Sequence, residues 1–133
     1  MDRKEQAVQL HKHGFNCAQS IVSVFAPVMG ADPNEAFKMA EGLGLGMGCM
    51  ETCGALTAMA MVTGMKISDG DMENPKTKKE CYAMMQKLVA EFKEAHGSTI
   101  CAELKSPDNP NRKSCGQIIA NTVEILEKNL LGL

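Results

Sequence analysis

Six cysteines stand in this chain of 133 residues, and four of them follow residues of the helix-capping type. Cys17 comes after Asn16, Cys53 after Thr52 and Cys115 after Ser114, while Cys101 lies two or three residues beyond Thr99 and Ser98. Each is expected in the first turn of a helix, where free backbone N–H groups and the positive end of the macrodipole concentrate. A thiol placed there ionises more readily, and the thiolate is both the nucleophile and the metal ligand of cysteine chemistry. Arg112 and Lys113, just before Cys115, act in the same direction.

Two chemistries follow. One is thiol–disulfide exchange or electron transfer; no C-x-x-C is present, so any reacting pair must be assembled by tertiary folding. The other is a metal or iron–sulfur site on Cys17, Cys53, Cys101 and Cys115, since four thiolates are the usual complement of such clusters. The spacing matches neither a ferredoxin nor a zinc ribbon, so the metal stays open. Around such a site Asn16, Gly46, Gly48, Cys49, Thr52 and Gly54 are candidate cofactor-binding positions. The glycines would let backbone N–H groups approach the sulfurs, and Cys49 stands four residues before Cys53. Cys81 falls on the apolar stripe of its helix and reads as packing. A third possibility is a helical interaction module in which the thiols are small buried hydrophobes.

The elements that would position these residues are helical throughout. Residues 2–13 form a first segment ended by Gly14, and Asn16 opens a second to about Met29. Asp32, Pro33 and Glu35 supply the N-cap, N1 proline and capping-box acid of a third. The glycines at 42, 44, 46 and 48 end it, and Thr52 is expected to cap a fourth helix to about Met65. That helix is apolar all round, so it should be central and buried. Asn74 and Pro75 open a long fifth helix to about His96, a short one spans 98–105, and Ser114 caps the last. No segment alternates with period two. The expectation is one all-α domain over residues 1–133: a helical bundle of six to seven helices with a buried central helix.

Composition excludes several classes. Fourteen basic and sixteen acidic residues are interspersed, giving a net charge of −2 and no face for nucleic acid. The stretch 42–65 has membrane-span length with one charge, Glu51, but its first third alternates glycine and holds a helix poorly, and the remaining apolar part of about 14 residues suits a buried core helix better than a membrane span. Met1 to Glu5 carries no apolar signal region, so a cytoplasmic, reducing compartment is expected. Eleven methionines, four phenylalanines and no tryptophan suggest an interior of Met, Leu, Ala and Val; a Met-rich interior would suit an adaptable apolar interface, and a homodimer is expected. His11 and His13 read as solvated, and His96 as compensating a helix dipole. Asp69, Asp71, Glu73 and Glu80 mimic calcium-loop spacing, but Asn74 and Pro75 stand where the loop needs its glycine turn, so the likeness is taken as chance.

The segments Gly14-Phe15-Asn16-Cys17-Ala18-Gln19-Ser20, Gly46-Met47-Gly48 and Glu51-Thr52-Cys53-Gly54-Ala55, with the later single Cys101 and Cys115, resemble the redox-active family named for its C_GCAxxG_C_C signature. The resemblance spans about residues 5 to 128. It implies that the family cysteines are Cys17, Cys53, Cys101 and Cys115, and that Cys49 and Cys81 are extra. One departure is Ala58, where the family motif closes with glycine; a methyl group fits there only if no backbone passes very close. A similar cysteine-bearing helical domain occurs in split-Soret cytochromes, where an iron–sulfur site is implied. The expected role is therefore redox: an oxidoreductase or electron-transfer protein working with a redox partner protein, with an iron–sulfur cluster or no cofactor.

Overall fold

A computed structural model describes residues 1–133 and contains seven α-helices and no sheet. They are α1 (Arg3–Lys12), α2 (Cys17–Phe25), α3 (Pro33–Ala40), α4 (Gly54–Ile67), α5 (Lys78–His96), α6 (Cys101–Leu104) and α7 (Cys115–Leu126), the last continued by a wider turn over Glu127–Leu131. The starts of α2, α3 and α7 fall where their capping residues predict. Asn16 and Ser114 each form a reciprocal capping box, with Gln19 and Gln117, and Asp32 accepts from the N–H groups of Asn34 and Glu35.

Helix α4 is buried between α2, α5 and α7, as its apolar circumference requires. Helix α2 is equally central, packing against α1, α3, α4 and α7. Between them the core is built from Ile21 and Phe25 of α2, Met59 and Val62 of α4, Leu88 and Phe92 of α5, and Ile119 and Leu126 of α7. The expected methionine interior is not what forms. Met59 alone of the eleven is buried; Met61, Met65, Met84 and Met85 pack at the core's edge, and Met39, Met47 and Met72 are exposed. Branched aliphatic and aromatic side chains fill the centre with fewer rotamers to lose on burial. Ala58 is accommodated without exposure.

Helices α1 and α7 run antiparallel. Arg3 pairs with Glu127 and Lys4 with Glu124, and the Arg3 guanidinium lies 5.2 Å from the Phe25 ring centroid. Further along, Val8 packs against Gly116. This register carries the C-terminal end of α1 to the N-terminal end of α7.

Residues 44–51 form a strap between α3 and α4 rather than a helix. Leu45, Gly46, Met47, Gly48 and Met50 all have φ between 54° and 74°. Three of these are not glycine, so the strap stores strain on the order of 1 kcal/mol at each. Asn16 anchors its beginning. The side chain accepts from the Gln19 N–H (2.8 Å) and donates to the Glu41 carbonyl (2.9 Å), and it lies so close to Gly44 that a Cβ there would stand 2.5 Å from the Asn16 Cβ. Asn16→Ala should therefore cost more than an ordinary cap, about 2 kcal/mol, because the α3 carbonyls lose their donor as well. Urea unfolding checks this; an unchanged midpoint would contradict it.

His96 is not a charged dipole partner. It is 1% exposed, its Nε2 donates to the Asn121 Oδ1 at 2.8 Å, and its Nδ1 has no partner. Burial holds its pKa below the ordinary 6.5. The unfolded chain thus takes up a proton on falling through about pH 6.5 while the native state does not, so native stability falls as the solution is acidified from neutrality. His96→Gln should flatten that slope in unfolding curves measured between pH 7 and 5.

Candidate functional site

The N-terminal ends of α2, α4, α6 and α7 meet at one small cavity of about 40 Å³, lined by Cys17, Cys53, Cys101 and Cys115. Cys17, Cys101 and Cys115 are the first residues of their helices, and Cys53 is the N-cap of α4. Thr52, expected as that cap, instead faces Ile100 in a single antiparallel bridge. The Cys53 N–H donates to Thr99 (2.8 Å) and the Cys101 N–H to Glu51 (2.6 Å). Two residues of β-like pairing thus set Cys53 and Cys101 against the same wall.

Cys17 and Cys115 also meet a histidine. One ligand atom each from His11, Cys17 and Cys115 lie within 4.8 Å of one another. His11 is half-buried, which corrects the reading of it as solvated; His13 is exposed. The His11 Nδ1 makes a 2.9 Å hydrogen bond with the Phe15 carbonyl. A carbonyl can only accept, so Nδ1 is the donor, and in the neutral ring Nε2 keeps its lone pair. Two signals bear on this: the α1–α7 register, and the turn at Gly14 (φ 119°) that folds Phe15 back under the ring. Neither is a spacing within one helix, which is why the sequence reading missed His11.

Of the candidate cofactor-binding positions, Gly46 and Gly54 line the cavity. Asn16 supports it from behind, and Thr52 holds the bridge. Cys49 and Gly48 are exposed on the strap; the Cys49 thiol reaches only the Gly46 carbonyl at 3.5 Å. Cys81 is half-buried on α5 and is not among the cavity's lining residues. All six cysteines are free thiols.

Position at a helix start does not act alike on the four thiols. Cys115 is lowered from 9.0 to about 5, chiefly by the neighbouring Cys17 thiol, then by the nearby Lys105 and His11. Cys17, its partner, is pushed up because it keeps the shared proton, and burial adds to this. Cys53 is also raised: burial outweighs the pull of the Ala55 and Leu56 amides. Desolvation therefore defeats the helix terminus at Cys53, and a specific neighbour decides the outcome at Cys17 and Cys115. Cys17 and Cys115 are half-buried, whereas Cys53 and Cys101 are buried.

The likeness of the 69–80 segment to a calcium loop is closed off by Lys76, whose amine sits 2.6 Å from Asp69 and 3.6 Å from Asp71. No helix is long and apolar enough to cross a membrane.

An all-α domain that gathers four thiols from four helix starts into one cavity defines a cysteine-centred class of protein. Residues 15–129 match the family described as "Putative redox-active protein (C_GCAxxG_C_C)", and the chain belongs to that family. No curated protein and no solved structure matches it.

Proposed function

We propose that the protein is a dithiol redox protein whose reacting pair is Cys17 and Cys115. The observation that carries this reading is their proximity to each other and to His11, in a half-exposed position that the other two family cysteines lack. In the forward step the Cys115 thiolate attacks a disulfide RSSR of a partner. A Cys115–SR bond forms and RS⁻ leaves. Cys17 then gives its proton to His11 Nε2 or to water and attacks the Cys115 sulfur, closing the Cys17–Cys115 disulfide and releasing a second RS⁻. Two electrons pass to the partner, which is reduced to two thiols, and the reverse sequence returns them.

Cys53 and Cys101 stand as the inner wall, shielding the pair and offering a second thiol set. An iron–sulfur cluster on all four cysteines fits the donor count. It does not fit the space, since about 40 Å³ holds a few water-sized groups and a multi-iron core would need the walls to part. Counting free thiols against a series of glutathione buffers tests the reading. Two of the six thiols should disappear together and return on reduction. Six thiols persisting across the series would contradict it.

A further inference from the structure

Two thiols and an imidazole converging from three helices also match the donor set of a transition-metal site. The geometry points to a mononuclear site for a divalent ion of the zinc class, held in the reduced protein by His11 Nε2, Cys17 Sγ and Cys115 Sγ.

Zinc–sulfur and zinc–nitrogen bonds of about 2.3 and 2.0–2.1 Å in a tetrahedron put ligand atoms about 3.5–3.8 Å apart. One ligand atom from each of the three residues already lies within 4.8 Å of the others, so a shift of about 1 Å suffices. The second feature is the 2.9 Å bond from His11 Nδ1 to the Phe15 carbonyl. Metal-ligating histidines usually donate their other ring N–H in this way, which fixes both tautomer and ring plane. The third is the adjoining cavity of about 40 Å³, lined by both cysteines and by Cys53, which gives room for a fourth ligand. Three protein ligands with an open fourth position resemble a reactive zinc site rather than a closed structural one.

Binding releases any proton still held on the two sulfurs, because both must be thiolates to ligate. The consequence for regulation rests on the dithiol reading above. A bound ion ties up the pair's electrons and slows attack on a disulfide. Conversely, oxidation of the pair by RSSR forms the S–S bond, yields two RS⁻ that take their protons from water, and releases the ion, since only His11 remains as a ligand.

The test uses the reduced full chain under anaerobic conditions, titrated with Co²⁺ and then with Zn²⁺ against a chromophoric competitor. One Co²⁺ per chain should bind, with the visible bands and thiolate charge-transfer absorption of a tetrahedral site. His11→Gln, which keeps most of the side chain's bulk, and Cys115→Ser should each weaken Zn²⁺ binding by about 10-fold or more. Cys81→Ser and His13→Ala should bind as the parent does. Absence of Co²⁺ uptake by the folded, reduced parent overturns the site. So does uptake that ignores His11→Gln and is lost in Cys101→Ser, which would assign a four-thiolate centre instead. Thiol counting on the metal-free protein keeps the two readings apart. Metal binding without reversible loss of two thiols would sink the dithiol function and leave this site standing, and the reverse result would do the opposite.

Discussion

Cys115→Ser should abolish the reversible loss of two thiols and, with it, the fast alkylation of the metal-free chain at mildly acidic pH. The second effect can be sized. A thiol at its ordinary 9.0 is about 0.1% ionised at pH 6, whereas Cys115, lowered to about 5, is about 90% ionised. That is on the order of 1000-fold more thiolate. A weaker base is a weaker nucleophile, and a Brønsted slope of about 0.4–0.5 over four pH units returns roughly 60-fold of the gain. Cys115 should therefore alkylate roughly 10-fold faster than an ordinary accessible thiol at pH 6. Its rate should be flat above that pH. The buried Cys53, whose thiol is raised by desolvation, should stay slow at every pH in the native state. Cys101→Ser should keep both the two-thiol titre and the fast-reacting group. A Cys115→Ser chain that still alkylates rapidly at pH 6 would show that another thiol holds the thiolate.

Gly46→Ala should be the most damaging single methyl addition in the molecule, at about 2–4 kcal/mol, from a left-handed backbone penalty and from overpacking. Gly46 has φ 59°, and a Cβ on it would stand 2.6 Å from the Glu51 nitrogen, 2.8 Å from the Glu51 oxygen and 2.9 Å from the Cys101 Cβ. Backbone atoms cannot rotate aside as a flexible side chain can. Glu51 is also the residue whose carbonyl receives the Cys101 N–H, so the methyl group pries at the contact that seats Cys101 on the cavity wall. Gly48→Ala is the control. Its φ of 74° is equally left-handed but its Cβ would meet nothing within 4 Å, so only the backbone penalty, on the order of 1–2 kcal/mol, applies. Chemical unfolding of the two variants compares them directly, and equal losses would remove steric packing as the reason for glycine at position 46.

Where a helix begins was legible wherever a side chain does the capping. Asn16, Asp32 and Ser114 each satisfy N–H groups of their own first turn, which needs only local sequence. The starts that moved are those set by other contacts. Asn74 and Pro75 look like an N-cap and N1 pair, yet the Asp71 carboxylate already takes the N–H groups of Glu73 and Asn74, and Lys76 is drawn to Asp69. Helix α5 consequently waits until Lys78. Residues 99 and 100 look helical but are held extended by pairing with 52 and 53, so α6 shrinks to Cys101–Leu104. The four thiols were found because each sits next to a capping signal or at a short helix start. The division among them was not legible: burial separates Cys53 and Cys101 from Cys17 and Cys115, and burial depends on how α4 and the strap pack. His11 was hidden for the same reason, since it reaches the site from the far end of a neighbouring helix.

The most direct test is to oxidise the metal-free native protein mildly, block the remaining thiols, digest without reduction and identify the linked peptides. The expected product joins Cys17 to Cys115, with Cys53 and Cys101 recovered as blocked thiols. A linkage of Cys53 to Cys101 in place of it, or no intramolecular disulfide at all, would contradict the assignment of Cys17 and Cys115 as the reacting pair.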